Sequence, residues 1–299
     1  MFENRIGFMA SLGFTRMKPA TIVGQLRRLG YSAISWTPAH FNPRKHSIEE
    51  LRELVDLSRQ GGLDVSEVVV QQDYVCLDDE IREERVRRTI QTIGVCADVG
   101  VRTVNLFTGP APWDPRAPRI PENISQGAAW DMVVDSFDRI VPVLENQKIT
   151  GAVEGVWGHV CNDYFTTRPL IDHFNSEYLG VNFDPSHDVL KGNLDTAWLI
   201  RQWGAQRIKH VHLKDAAGIQ EAGKFVFPFL GEGYVDWMGF FGALAEQDYA
   251  GFLTVEFESF AYHKQILKKD SVEAARRCIE DVRVLLASSS KAASTGDES

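Results

Sequence analysis

The sequence is poor in cysteine and contains no long apolar run. Its 299 residues include four widely spaced cysteines without a CxxC pair: Cys76, Cys96, Cys161 and Cys278. This spacing argues against a disulfide framework and predicts free thiols in a reducing, cytoplasmic location. No segment offers the ~18 consecutive apolar residues that a membrane-spanning helix requires. The first residues also lack the basic and apolar regions of a signal peptide, so we expect no membrane partner.

Positive charge is also scarce. The chain has 32 lysine and arginine residues against 41 aspartate and glutamate residues, which gives a formal net charge of −9 at pH 7. An acidic surface repels phosphate backbones and anionic lipids, so we expect neither a nucleic acid nor a membrane as partner. A dinucleotide-binding sheet would place a GxGxxG motif after its first strand, and "GFMASLGFTR" lacks that spacing.

What the sequence does contain is a regular alternation of short apolar runs with amphipathic helical segments. Eight runs are typical of buried strands: "RIGFMA", "YSAISWTP", "DVSEVVV", "RTVNLFTG", "TGAVEG", "LGVNFDPSH", "IKHVHLKD" and "GFLTVEFES". They predict an α/β fold, a single (β/α)8 TIM barrel, because helices between successive strands force the strands to be parallel. We assign the barrel to residues 1–287. The small polar residues 288–299 predict a disordered tail.

The catalytic residues of such barrels lie where the strands end. The last four runs each deliver acidic or basic side chains to this rim: Glu154, Asp184, the alternating His210, His212 and Lys214, and Glu256. Neighbouring parallel strands are about 5 Å apart, so these side chains can converge. We therefore predict a site for one divalent cation with four ligands: Glu154, Asp184, His212 and Glu256.

Each residue also has a purely structural explanation. His210 could be a hydrogen-bonded core histidine, Asp184 could be a turn residue, and Lys214 could pair with neighbouring acids. These explanations must hold independently at four strands, whereas one metal ion accounts for all of them. The ligand set consists mostly of oxygen donors, which favours Mn²⁺ and leaves Mg²⁺, Co²⁺ and a catalytic Zn²⁺ as alternatives.

The motifs at these strand ends resemble those of the xylose isomerase-like superfamily of sugar isomerases and epimerases. The matching segments are "VEG", "FDPSH", "HVHLKD", "LGEGYVDW" and "GFLTVE", and the resemblance extends over residues 5–286. It implies that Glu154 and Glu256 bind the metal ion and also act as the acid/base pair. Asp184 and His212 would complete the ligand set, and His187 would contact a substrate oxygen. The implied activity is isomerisation or epimerisation of a keto-sugar by proton abstraction next to a metal-bound carbonyl.

Two departures from the ketose epimerase pattern favour an alternative. No acidic residue lies between Glu154 and Asp163, and no arginine lies between Arg207 and Arg276. The segment "GVWGHV" instead offers His159, which could serve as the base of a β-elimination. The alternative enzyme is therefore a metal-dependent lyase, either a keto-inositol dehydratase or an enzyme that cleaves 3-oxo-C-glycosides with a partner subunit. A second alternative is a non-catalytic barrel that binds a sugar.

Two loops at the predicted rim carry aromatic residues. "GPAPWDPRAPRIPE" contains Trp113, and Trp157 follows the fifth strand run. Together with Trp36, these rings could contact a sugar or an aromatic aglycone, or could simply pack in the barrel. "KFVFPFLGEG" suggests a covered pocket or a subunit interface. We expect an unphosphorylated sugar or sugar-derived substrate, contacted also by Lys214, and a homo-oligomer, or a hetero-complex in the case of a C-glycoside lyase.

Overall fold

Eight parallel strands close into a barrel in this computed structural model, which describes residue 2 and residues 5–296. The barrel strands are β1 (Ile6–Met9), β2 (Ala33–Trp36), β3 (Asp64–Val69), β4 (Thr103–Leu106), β5 (Thr150–Glu154), β6 (Leu179–Phe183), β7 (Ile208–Leu213) and, after a short hairpin, β10 (Leu253–Val255). The hairpin consists of β8 (Ala217–Gly218) and β9 (Phe225–Val226), which pair antiparallel. All eight strands coincide with the eight apolar runs, and the (β/α)8 barrel is confirmed.

Helices connect the strands and cover the outside of the barrel. They are α1 (Pro19–Leu29), α2 (Ile48–Gln60), α3 (Asp79–Val99), α4 (Gln126–Gln147), α5 (Tyr164–Phe174), α6 (Pro185–Leu190), α7 (Thr196–Trp203), α8 (Trp237–Glu246), α9 (Phe260–Gln265) and α10 (Ser271–Gly296). Helix α2 begins with a capping box, because Ser47 accepts from the Glu50 amide and Glu50 accepts from the Ser47 amide. No helix in the described part of the chain is long and apolar enough to span a membrane.

The register of the parallel strands brings the site residues to one rim. Glu154 at the end of β5 lies opposite Asn182 of β6, and Thr254 of β10 lies opposite His212 of β7. Parallel strands expose their carboxyl ends at the same edge, so the loops that follow β5, β6, β7 and β10 surround one opening.

Of the two alternatives for Trp36, packing in the barrel holds, because the side chain is fully buried and its Nε1 donates to Ser58 Oγ at 3.1 Å. The tail expected to be disordered from residue 288 is instead helical as far as Gly296, within α10. That segment contains no proline and is rich in alanine and serine, so nothing stops the helix before Gly296. Residues 297–299 lie outside the described part of the chain.

Candidate active site and metal centre

The four predicted ligands converge inside the rim. One donor atom from each of Glu154, Asp184, His212 and Glu256 can be chosen so that all four lie within 4.8 Å of one another. All four side chains are buried, and the most exposed of them, Glu256, is 8% exposed. Three buried carboxylates repel one another unless positive charge lies among them. The residues present therefore fit a divalent ion that prefers oxygen donors and one nitrogen.

His212 is oriented so that one ring nitrogen faces the carboxylates. Its Nδ1 lies 3.2 Å from Glu256 Oε2 and 3.5 Å from Glu154 Oε2. Burial opposes a charge on the imidazole, but Glu154, Glu67 and Glu256 raise the pKa of His212 well above its usual value. A cation bound at Nδ1 would take the place of the proton that these acids attract.

The other ring nitrogen of His212 contacts a residue that the motifs did not reveal. Glu67 lies in the middle of β3 and is fully buried, and its Oε1 is 2.7 Å from His212 Nε2. Ser35 Oγ donates to the same carboxylate oxygen at 3.0 Å. Two ligand atoms that each lie ~2.1 Å from the same metal ion are roughly 3 Å or more from each other. The 2.7 Å distance between Glu67 Oε1 and His212 Nε2 is shorter, so this contact is a hydrogen bond and not a second metal site. Glu67 therefore fixes the His212 ring and directs Nδ1 to the carboxylates.

His210 behaves as a core histidine. Its Nε2 lies 3.0 Å from Thr254 Oγ1 and 3.6 Å from Glu67 Oε1, below the metal centre. Burial, partly offset by Glu67, lowers the pKa of His210 to about 4, so the ring is neutral. His210 thus has a structural role, whereas His212, two residues later on β7, lies among the carboxylates of the candidate site.

Lys214 supplies the positive charge that the acid cluster needs. Its Nζ lies 2.6 Å from Glu256 Oε2, 2.8 Å from Asp184 Oδ2 and 3.2 Å from Glu258 Oε2. Burial opposes the charge on Lys214, but these carboxylates raise its pKa well above the usual value. Lys214 is therefore a buried ammonium, held mainly by carboxylates.

The two glutamates assigned as acid and base differ in proton affinity. Burial and the nearby Glu256 raise the pKa of Glu154. Burial would also raise the pKa of Glu256, but Lys214 and His212 outweigh it and lower that pKa below the usual range. Asn105 donates to Glu154 Oε2 at 2.6 Å, which fixes the direction of this carboxylate. No motif points to Asn105, because it lies within the apolar run of β4.

His187 lines the opening above the carboxylates. Its Nδ1 accepts from the Trp157 amide at 3.2 Å, and its Nε2 lies 3.4 Å from Asp184 Oδ2. Burial, together with Lys214, lowers the pKa of His187 to about 4, so the imidazole is neutral. With Nδ1 accepting, the ring proton is on Nε2 and points into the site. This position suits contact with a substrate oxygen, as the resemblance implies.

His159 lies beside the site and not among the ligands. It is 3% exposed, and neither ring nitrogen has a hydrogen-bond partner. Its ring packs against Trp113 and Phe107, with centroids 5.4 and 5.6 Å away. Burial lowers the pKa of His159 to about 3, so the imidazole is neutral. Its role as a base stays a prediction.

A cavity of about 750 Å³ lies above the carboxylates. Its floor is polar and consists of Glu154, Glu256, Glu258, His187 and Lys214. Its wall is mainly apolar and includes Phe107, Trp113, Trp157, Phe225, Phe227 and Phe260. Phe225 and Phe227 of "KFVFPFLGEG" thus line this cavity, which agrees with the covered pocket expected for that loop. Phe229 instead packs against Phe257 and Tyr262.

Two aspartates, the buried Asp215 and the half-buried Asp73, hold the loops that form this wall. The Asp215 carboxylate accepts from four backbone amides and one indole, those of Ala216, Gly231, Gly233, Val235 and Trp237. It therefore does not pair with Lys214. Asp73 accepts from the amide of Ala111, at the start of the loop that carries Trp113, at 2.9 Å. A loop tied at several points keeps its shape without a ligand.

The fold and these strand-end ligands define a (β/α)8 barrel with a candidate divalent-metal centre. The chain belongs to the xylose isomerase-like TIM barrel family, whose model matches residues 23–282. No curated protein matches the chain.

Solved structures share this fold at low identity. The 3-keto-D-glucoside 4-epimerase YcjR from E. coli is 17% identical, with a TM-score of 0.73 and coverage of 95% of this chain and 99% of that one. An L-ribulose 3-epimerase is 19% identical, with a TM-score of 0.74 and 97% coverage of both chains. The IolI protein with a bound zinc atom is 15% identical, with a TM-score of 0.71 and coverage of 95% and 97%. Sugar epimerases are thus among the structural relatives of this barrel.

Proposed function

We propose that the protein is a divalent-metal-dependent enzyme that isomerises or epimerises a keto-sugar. The observation that carries this proposal is the convergence of Glu154, Asp184, His212 and Glu256 beneath a cavity large enough for a sugar. A divalent ion bound there would polarise the substrate carbonyl and stabilise negative charge that develops on it. Mn²⁺ is our first choice among ions that suit these donors.

The residues around the cavity have complementary tasks in this reaction. Glu256, whose carboxylate is ionised beside Lys214, accepts the proton from the carbon next to the carbonyl. Glu154, the partner with the higher proton affinity, returns a proton to the substrate carbon. His187 Nε2 donates to a sugar oxygen, and Lys214 limits the repulsion between the acids.

The structural relatives support this class of substrate. YcjR is named as a 3-keto-D-glucoside 4-epimerase, and another relative as an L-ribulose 3-epimerase. Both names describe inversion of a sugar carbon next to a carbonyl, a change that loss and return of a proton at that carbon can bring about. Zinc bound to the IolI protein supports a divalent ion in this barrel.

Hydrogen exchange tests the proposal directly. The Mn²⁺-loaded protein is incubated in D₂O with ketohexoses, inososes and 3-oxo-glucosides, and deuterium incorporation is followed by NMR and mass spectrometry. We expect exchange at the carbon next to the carbonyl without loss of the sugar skeleton. Glu154→Gln and Glu256→Gln should each abolish it. Absence of exchange with every carbonyl sugar would contradict the proposal and favour a sugar-binding barrel.

A second candidate is β-elimination, and His159 is the observation that favours it. This neutral, buried imidazole has two unpaired nitrogens and touches Trp113 and Phe107 of the cavity wall. In elimination, a base removes the proton next to the carbonyl, a carbon–carbon double bond forms, and the leaving group departs with its bonding electrons and takes up a proton. In the same incubations, release of water or of an aglycone identifies this reaction. His159→Gln should then abolish release, whereas it should leave exchange intact in an epimerase.

A further inference from the structure

We infer that the cavity binds a sugar that carries an uncharged aryl substituent, with the sugar over the acidic floor and the aryl group against the aromatic wall. The position of the sugar over the acidic floor rests on the proposed function. The aryl half rests on separate features of the cavity, which are its size, the position of its rings, the exposure of its mouth and its charge.

The cavity is larger than a simple sugar needs. Its volume of about 750 Å³ lies in the upper part of the range of roughly 300–1,000 Å³ typical of sites for drug-sized ligands. At ~30 Å³ per water, it would hold on the order of 25 water molecules, whereas a free hexose has only about 12 non-hydrogen atoms. A second group of similar size therefore fits beside the sugar.

The additional space is bordered by a continuous series of rings. Trp113 and Trp157 have centroids 6.1 Å apart, and Trp157 meets Phe225 edge-on at 5.1 Å. Phe225 lies 5.2 Å from Phe227, which in turn lies 5.8 Å from His187 on the acidic floor. Adjacent planes are inclined by 55–79°, so the rings form an angled wall rather than one flat platform. Such a wall offers both faces and edges to an inserted aromatic group.

The mouth of the cavity exposes apolar side chains to water. Trp113 is 50% exposed, Phe260 is 64% exposed and Val226 is 38% exposed, and all three line the opening. Apolar groups clustered at a concave opening that leads to a polar floor mark a ligand site. An aryl group at this mouth would cover surface that a sugar alone leaves exposed.

The charge of the cavity excludes an anionic substituent. Among the described residues that line it, Lys214 is the only lysine or arginine, and it is held by Asp184, Glu256 and Glu258. A phosphate or carboxylate on the substituent would find no lysine or arginine free to pair with it. Burial of that charge against the apolar wall would be costly, so the substituent is uncharged.

Binding of glucosides that differ only in their substituent tests the inference. Isothermal titration calorimetry with Mn²⁺-loaded protein compares 4-nitrophenyl β-D-glucoside, methyl β-D-glucoside and cellobiose. We expect the aryl glucoside to bind on the order of 10-fold tighter than the other two, because ring contacts are additional to the sugar contacts. Equal affinity for the aryl and methyl glucosides would overturn the inference, as would tighter binding of cellobiose, which would assign the wall to a second sugar.

Variants at two exposed tryptophans test whether the aromatic wall itself binds the aryl group or whether loss of any exposed tryptophan weakens binding. Trp113→Ala should weaken the aryl glucoside by roughly 10-fold and leave the methyl glucoside unchanged. Trp198, on α7 and 41% exposed, is absent from the cavity lining and provides the matched control, Trp198→Ala. If Trp113→Ala leaves the ratio of aryl to methyl affinity unchanged, the inference is wrong.

The outcomes also separate this inference from the proposed function. A preference for the aryl glucoside in a protein that binds no metal ion and exchanges no deuterium supports the aryl site and contradicts the proposed function. Metal binding and deuterium exchange without a preference for the aryl glucoside would support the proposed function and contradict the aryl site. Equally tight binding of 4-nitrophenol alone would overturn the inference, because the sugar would then contribute nothing.

Discussion

Glu67 Oε1 lies 2.7 Å from His212 Nε2, and this buried hydrogen bond directs the other His212 nitrogen to the candidate metal centre. Glu67→Gln keeps an acceptor but removes the negative charge that makes the imidazole a stronger donor to a metal ion. We expect Mn²⁺ affinity, measured by calorimetry on metal-depleted protein, to fall by about 10–100-fold. Ser35→Ala, which removes only the other hydrogen bond to Glu67, should change the affinity much less. Equal affinities in Glu67→Gln and the unmodified protein would contradict this positioning role.

Two glutamates two residues apart should differ in their importance for metal binding. Glu256 belongs to the group of four convergent ligands, whereas Glu258 contacts the cluster through Lys214. We expect Glu256→Gln to lose stoichiometric metal after dialysis, as measured by elemental mass spectrometry. Glu258→Gln should retain one ion per chain. Retention of full metal content by Glu256→Gln would show that the ligand assignment is wrong.

The stability of the metal-depleted protein should depend on Lys214. Lys214→Met removes the ammonium from three carboxylates, those of Asp184, Glu256 and Glu258. Loss of one partner from buried ionic contacts costs about 3–5 kcal/mol, so the melting temperature in chelator should fall. Added Mn²⁺ supplies positive charge, and it should stabilise this variant more than the unmodified protein in differential scanning fluorimetry.

The matched control for this experiment is a lysine on the strand that Lys214 follows. Lys209 belongs to β7, is half-buried and makes no contact with the carboxylates of the cluster. Lys209→Met should therefore leave the Mn²⁺-dependent shift unchanged. A shift of the same size in Lys214→Met and the unmodified protein would exclude the proposed charge compensation.

Asp188 should make the stability of the barrel depend on pH. Burial raises the pKa of this carboxyl to about 7, against about 3.9 for an unfolded aspartate. The folded chain therefore holds a proton that the unfolded chain has lost, and stability falls as pH rises from about 4 through about 7. In urea denaturation, Asp188→Asn should reduce the loss of stability between pH 5 and pH 8 by roughly 2 kcal/mol. Asp56 is exposed, so Asp56→Asn should leave the loss of stability between pH 5 and pH 8 unchanged. If Asp188→Asn also leaves that loss unchanged, Asp188 is not the group responsible.

The fold and the convergence of Glu154, Asp184, His212 and Glu256 could be predicted because their signals are local. Each ligand lies at or just beyond the end of an apolar run, and the parallel barrel brings the ends of adjacent strands together. The alternation of His210, His212 and Lys214 likewise indicated one shared face. A homo-oligomer and a cytoplasmic location stay predictions.

Glu67 and the cavity wall could not be predicted in the same way. Glu67 lies in the middle of "DVSEVVV", and its partner His212 is 145 residues later in the sequence. One signal was present, because an acidic residue inside an apolar strand requires a partner. The wall depends on hydrogen bonds such as that between Asp215 and Trp237, whose geometry no local pattern specifies.

Consecutive residues of one strand end, Lys214 and Asp215, serve different parts of the cavity. Lys214 joins the acids of the floor, while Asp215 fastens the segment that bears Phe225 and Phe227. The acids of the floor and the segment that bears Phe225 and Phe227 are therefore held by different side chains, although Lys214 and Asp215 are adjacent in the backbone. The two parts still touch, because Lys214 Nζ lies 4.8 Å from the centre of the Phe227 ring. An engineer could exchange the hairpin between Asp215 and Trp237 to accommodate a different aglycone while the chemistry beneath it stays intact.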